Sequence, residues 1–394
     1  MTIRSGKTAY LEGIRGFAAF FVFLHHFALI FYMSHYDWRV ATRHLPDNLE
    51  VRYGRSVLSV FTNGNFWVNV FFVLSGLVLS RKYFLTGSVA MLVSGAQRRF
   101  FRLYIPATCT IIISWTLIET GLFFNTPVSD ISGSYWFSHM WQFPDIGPRF
   151  LLCLTYGTVL MGDQLFNTVL WTMPVEFFYS LFVFAFLALT HHTKNRLFSL
   201  ILVLVYSFLF DAYFLAPFAM GVGLCYLEGK EKTKQGFATN FLAFLLLLLG
   251  LFLGSYPTEF GRKDTLFDQL GHTLLEYSNW FHPVGAFLVV LAFVVSPFFQ
   301  RMASLRIFRF LGHVSFPLYL LHMLVLGSLG SYAFLKIYPL LGYNYTVLAV
   351  FLISTVFLLI FSWLMTRYID GPGIRFSKFV FDRWITVKED KEIH

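Results

Sequence analysis

The stretch Leu11-Glu-Gly-Ile-Arg-Gly-Phe-Ala-Ala-Phe-Phe-Val-Phe-Leu-His-His26 decides how the chain is read, because an apolar run carries an acid, a cation and two imidazoles. On a helix turning about 100° per residue, Arg15 and His26 come within about 20° of one line. Glu12, Ala19 and Val22 fall near the same line, and His25 points about 100° away. Ionisable groups inside a bilayer span are costly unless they face a protein interior or a water-filled cavity. This stripe is therefore a candidate functional face.

The surrounding composition says what kind of run it is. Of 394 residues, 57% are hydrophobic, 20% aromatic and only 13% charged; soluble domains keep about a quarter of their residues charged. The chain reads as a polytopic membrane protein. Apolar runs long enough to cross lie near 14–34, 57–80, 103–124, 168–190, 196–210, 213–228, 237–254, 280–300, 311–335 and 345–367. The two runs flanking Asp211 are short and read as a tight hairpin. The expected fold is all-α, with about ten transmembrane helices around a central cavity. One integral membrane domain is expected over residues 1–370, with a short polar cytoplasmic tail over 371–394. Residues 1–13 form a polar head before a span long enough to stay in the bilayer, so no cleavable signal is expected.

Basic residues set the expected orientation. With both termini cytoplasmic, the inner segments hold 22 of the 30 lysines and arginines, among them Arg4, Lys7, the Arg81–Arg102 set, Lys230, Lys232, Lys234 and Arg301–Arg309. The net charge of +9 is thus spent on topology, and no nucleic-acid partner is expected. The apolar run Phe150–Met161 is too short to cross and is expected to be interfacial or re-entrant. The loop from His35 to Ser56 sets Arg39, Arg43, Arg52 and Arg55 against Asp37, Asp47 and Glu50. It is either a salt-bridged surface loop or a receiver for an anionic acceptor. Cys109, Cys153 and Cys225 have neither metal-ligand nor redox spacing, and no metal is expected. No internal repeat supports an inverted-repeat transporter.

Three ionisable groups on three spans come out at similar depth when counted at about 1.5 Å per residue: His26, Glu176 and His322. A shared midplane cavity is the economical account, with Tyr319 one turn from His322. Each group also has a structural reading, as helix-to-helix glue or as a partner for a buried cation. Arg98, Arg99 and Arg102 at the start of the third span are either topology anchors or a fork for phosphates, which guanidinium groups grip bidentately. Ser75-Gly76 serves close helix packing or admits a thin ligand chain.

Five blocks carry a resemblance. Glu12-Gly-Ile-Arg-Gly16 with His26, Phe71-Phe-Val-Leu-Ser-Gly76, Arg98-Arg-Phe-Phe-Arg-Leu-Tyr-Ile-Pro106, Trp171-Thr-Met-Pro-Val-Glu-Phe-Phe-Tyr179 and Val314-Ser-Phe-Pro-Leu-Tyr-Leu-Leu-His322 resemble, in order, the blocks of the acyltransferase-3 family. The similarity runs from about Tyr10 to about Asp370. It implies a membrane O-acyltransferase, most often an O-acetyltransferase, that moves an acyl group from cytoplasmic acetyl-CoA or another acyl-CoA to a hydroxyl of a cell-envelope glycan, polysaccharide or lipid-linked sugar. It implies His26 as the catalytic position with Arg15, and Arg99 and Arg102 at the CoA donor. Glu12 stands where Asp is commoner, Asn69 where the run often has Asp, and Pro174 and Pro317 where small polar residues are usual.

On this reading, His26 takes the acceptor's proton as its oxygen attacks the thioester. Arg15 holds a donor phosphate or orients the thioester, and Arg98, Arg99 and Arg102 bind the nucleotide end, with Ser75 lining the donor path. Glu176, Tyr319 and His322 orient His26 or the acceptor hydroxyl. The setting expected from the family is the bacterial inner membrane. The rival class is a proton-coupled transporter or exporter of a sugar or lipid, which also uses midplane His and Glu groups.

Overall fold

Gly13 and Gly16 leave one strip of the first helix, α1 (Ala9–Phe31), without side chains. Two later helices press their backbones against that strip, Pro297–Ala303 at Gly13 and Arg306–Val325 at Gly16. A Cβ at Gly16 would lie 2.6 Å from the Gly312 nitrogen, and one at Gly312 would lie 2.0 Å from the Glu12 carbonyl oxygen. In lipid, which is as apolar as leucine, helices associate through such close backbone approach.

The structure, a computed structural model, describes residues 9–38, 42–143, 147–228, 236–257, 265–269 and 277–384. Arg4, Lys7, Arg39, Lys230, Lys232, Lys234 and residues 385–394, which the sequence placed in topology-setting segments, a loop or the tail, lie outside the described residues. Among the described residues there is helix and turn and no strand. After α1 come α2 (Gly64–Thr86), α3 (Val89–Glu119), α4 (Thr172–Leu189), α5 (Arg196–Leu209) and α6 (Leu215–Glu228). They are followed by α7 (Phe237–Gly254), α8 (Phe281–Val295), α9 (Arg306–Val325), α10 (Tyr343–Met365) and α11 (Gly371–Trp384).

Among the described residues eight helical segments are long and apolar enough to cross a membrane, while α5 and α6 have 14 residues each. These two form the hairpin expected around Asp211, whose backbone turns through φ 50°. The outward face of α7, with Leu242, Leu245, Leu248 and Leu249 exposed, is the surface that lipid would cover.

Two spans run longer than the hydropathy pattern suggests. A π-helical turn, Leu326–Gly330, carries α9 onward to Leu341, and another, Thr366–Asp370, joins α10 to α11. The segment expected to be a polar tail is therefore helical as far as Trp384, and it packs on α3 through Phe376 and Phe381 against Phe101. The short apolar run is also helical, as Gly147–Leu152 and a π-helical Cys153–Met161. It lies against α3, with Trp115 stacked on Phe150 at 4.7 Å and Tyr104 donating to the Leu154 carbonyl at 2.5 Å.

The loop after α1 is organised by a buried carboxylate. Glu50 accepts from the Ser34 hydroxyl and from the backbone N–H groups of His44 and Leu45, at 2.5 and 2.7 Å. His35, also buried, reaches Thr62 at 2.7 Å.

Candidate active site

Seven helices, α1 to α4 and α9 to α11, and the π-helical turn between the last two enclose a cavity of about 670 Å³. α1 contributes Glu12 and Arg15, α2 Ser75, α3 Arg99 and Arg102, α4 Thr172 and Glu176, α9 Tyr319, and the turn Asp370. The glycine contact between α1 and α9 fixes two of these walls against each other. A similar contact splits the Ser75-Gly76 pair: Gly76 lies against the α6 backbone, where a Cβ would be 2.1 Å from the Phe218 carbonyl oxygen, and Ser75 faces the cavity.

The charges in the cavity fall into two sets. Arg99 and Glu176 form an ion pair, with side chains only 9% and 14% exposed, and Ser75 donates to the same carboxylate at 2.8 Å. Arg15 and Arg102 have no ion pair or hydrogen bond among the described residues, so their guanidinium donors are open to a bound anion. Asp370 has one carboxylate oxygen buried without a hydrogen-bond partner. Pro317 lacks an N–H, so the carbonyl of His313 loses its helical donor at the cavity wall.

Beyond Tyr319 lies a second polar cluster. His322 Nε2 is 3.0 Å from His26 Nδ1. His322 is fully buried, whereas His26 keeps some exposure and stands 5.7 Å, ring to ring, from Trp136 of the helical turn Tyr135–Ser138. The hydrogen bonds determine which nitrogens carry protons. His322 Nδ1 lies 3.3 Å from the Leu318 carbonyl and His26 Nδ1 lies 3.1 Å from the Val22 carbonyl. A carbonyl only accepts, so both Nδ1 atoms are protonated in the neutral rings. His322 Nε2 then has a lone pair that receives the His26 Nδ1–H, and His26 Nε2 is left as a free lone pair, which is the form a base requires.

Tyr319 connects the clusters. Its ring lines the cavity and lies 6.0 Å from that of His322, and its hydroxyl is held by Thr172 and the Val169 carbonyl, both at 3.0 Å. His26 and His322 are not among the residues lining this cavity.

The structure brings together His26 with His322, and Arg15 with Ser75, Arg99, Arg102, Glu176 and Tyr319. It divides what the depth count merged. Glu176 turns to Arg99 and Ser75, since a carboxylate in so enclosed a place needs a cation and donors, and the imidazole pair supplies neither as a charged group. Arg98 lines a smaller adjoining pocket, its Nε donating to the Ser94 carbonyl at 3.0 Å. The sequence reading missed Thr172 and Asp370. Thr172 was findable, one turn before Glu176 in the same block; Asp370 follows an apolar run and resembles a span boundary.

A family model described as an acyltransferase domain matches residues 8–367. Among characterised proteins, the chain is 25% identical to the O-acetyltransferase PaAT-1 of Phomopsis amygdali, over 97% of this chain and 86% of that protein. It is 25% identical to the acyltransferase clz18 of Cochliobolus lunatus, over 93% and 94%, and 24% identical to the acyltransferase R4 of a Phoma species, over 86% of each. No solved structure matches. These relatives are fungal, so the bacterial inner membrane expected from the sequence finds no support among them, and none of the three is named as a transporter.

Proposed function

Because the chain belongs to the family of this acyltransferase domain, we propose that it is a membrane O-acetyltransferase in which acetyl-CoA enters from the Arg15 and Arg102 side and His26 activates an acceptor hydroxyl. The acceptor class is a glycan or lipid-linked sugar, as the motif resemblance implies. The Phomopsis relative, an O-acetyltransferase by name, suits both the acetyl donor and the hydroxyl acceptor. Both termini are cytoplasmic in this reading, ten helices cross the membrane with α5 and α6 as the short pair, and the arginine end of the cavity opens to the cytoplasm.

The observation that carries the proposal is the free Nε2 of His26, set by its Nδ1 contact with His322, next to a cavity whose Arg15 and Arg102 make no ion pair or hydrogen bond among the described residues. The acceptor oxygen attacks the thioester carbonyl carbon as His26 Nε2 takes its proton. The carbon–sulfur bond then breaks, and the proton passes to the departing thiolate. The products are an ester and free CoA, and neither an acyl-enzyme nor an outside proton is needed. Positioned proton transfer of this kind typically supplies about 10²- to 10⁴-fold in rate.

The test is release of free CoA by the purified protein given acetyl-CoA and a panel of glycans and lipid-linked sugars, with mass analysis of the acceptor. His26→Ala is expected to lower turnover by about 10²- to 10⁴-fold while the protein still purifies as a folded species. Turnover unchanged in His26→Ala would remove the histidine from the reaction. An enzyme labelled by donor alone would replace direct transfer with a covalent route.

A further inference from the structure

Beside the main cavity is a smaller one of about 240 Å³, and the two share Arg99, Arg102 and Ile374 in their walls. Ligand pockets usually begin at about 300 Å³, so this space is a side chamber of the larger one. Among the described residues its charges have one sign: Lys82 from the end of α2, Arg98 from α3 and Lys378 from α11 join the shared arginines, and no carboxylate is among the described lining residues. The main cavity, in contrast, sets Glu12, Glu176 and Asp370 among its cations. The rest of the chamber wall is mostly apolar, with Leu79, Leu92 and Phe184 beside Tyr83 and Ser377, and suits a ring beside a phosphate.

A cluster of cations without a counter-charge favours the most highly charged group a ligand offers. In CoA that group is the phosphomonoester, which carries about −1.5 to −2 at pH 7. Resting on the acyl-CoA reading above, we infer that the side chamber holds the 3′-phosphorylated nucleotide end of the donor, with Lys82, Arg98 and Lys378 on the phosphomonoester. The diphosphate then lies toward Arg102 and Arg15, and the pantetheine arm runs past Ser75 to Tyr319. Arg98 suits the role because its Nε is tethered to Ser94 while its terminal nitrogens make no hydrogen bond among the described residues. An anionic lipid headgroup would be drawn to the same cations. The donor is favoured because the chamber opens into the reaction cavity through shared walls.

The experiment uses the full chain in phosphatidylcholine nanodiscs and compares acetyl-CoA with its 3′-dephospho form. The wild type is expected to show a KM about tenfold or more lower for the phosphorylated donor. The double variant Lys82→Ala/Lys378→Ala is expected to raise that KM and erase the difference between donors. Equal KM values in the wild type would overturn the assignment, as would a rise in the variant that is the same for both donors. A variant defect that appears only when phosphatidylserine is added would give the chamber to lipid. Lack of transfer from either donor would sink the acetyl-transfer reading instead. In that event the thermal stabilisation by CoA against dephospho-CoA still decides the chamber: a larger shift with CoA, lost in the variant, supports it, and equal shifts overturn it.

Discussion

His322 touches no solvent, yet it determines what His26 offers. Its Nε2 accepts the His26 Nδ1 proton, so it acts as a positioning residue, and removing it frees His26 to adopt the other tautomer. In the proposed reaction His322→Ala is expected to lower kcat by about tenfold to a hundredfold with the donor KM unchanged, because the proposed phosphate sites lie elsewhere; steady-state kinetics with acetyl-CoA check it. The Arg99–Glu176 pair behaves differently. Removing one member of a buried pair strands the other charge, so Glu176→Gln is expected to cost about 3 kcal/mol of stability. Adding Arg99→Met should recover part of that loss, a coupling that a double-mutant cycle by thermal denaturation measures. Sequence arithmetic could place Arg15 and His26 on one stripe, because helix phase is regular. It could not choose the partner of Glu176, since that choice depends on which helices touch.

At the scale of helices, the glycines of α1 and α9 matter more than any apolar side chain, because they set how near Arg15 and His26 come to the opposite wall. Gly16→Ala would put a methyl group 2.6 Å from the Gly312 nitrogen, where no flexible side chain can yield. That variant is expected to lose both thermal stability and most of its turnover. Gly87→Ala is the control: its φ of 67° carries a backbone cost of about 1 kcal/mol, but nothing lies within 4 Å. It should melt slightly earlier and keep its turnover. The spans themselves were legible from hydropathy, including the Asp211 hairpin. The continuation of α10 into α11 was not, because hydropathy registers where lipid ends and is blind to a helix that goes on into water.

Across the whole molecule, the loop over the His26 end is joined to the helices by buried polar groups, and one of them makes it sensitive to acid. Burial pushes the His35 imidazole down to about 3 from an ordinary value of 6.5, with nearby His25 adding to the effect. Between those values the opened loop binds a proton that the closed loop excludes, so closure is fully favoured above about 6.5 and weakens as pH falls toward 3. Hydrogen exchange of the amides from Glu50 to Thr62 is expected to quicken by about tenfold or more between pH 7.5 and pH 5, after correction for intrinsic rate. The cavity holds Glu176 but not the His26 and His322 that a count of depth had set beside it, and it draws its walls from both extremes of the described chain, α1 on one side and the turn leading to α11 on the other. A ribosome therefore delivers nearly every helix before it delivers the piece that completes the chamber. A nascent polypeptide halted before Thr366 would already hold α1 to α10 and yet lack part of the cavity wall, so that the enclosure waits for the stretch that follows.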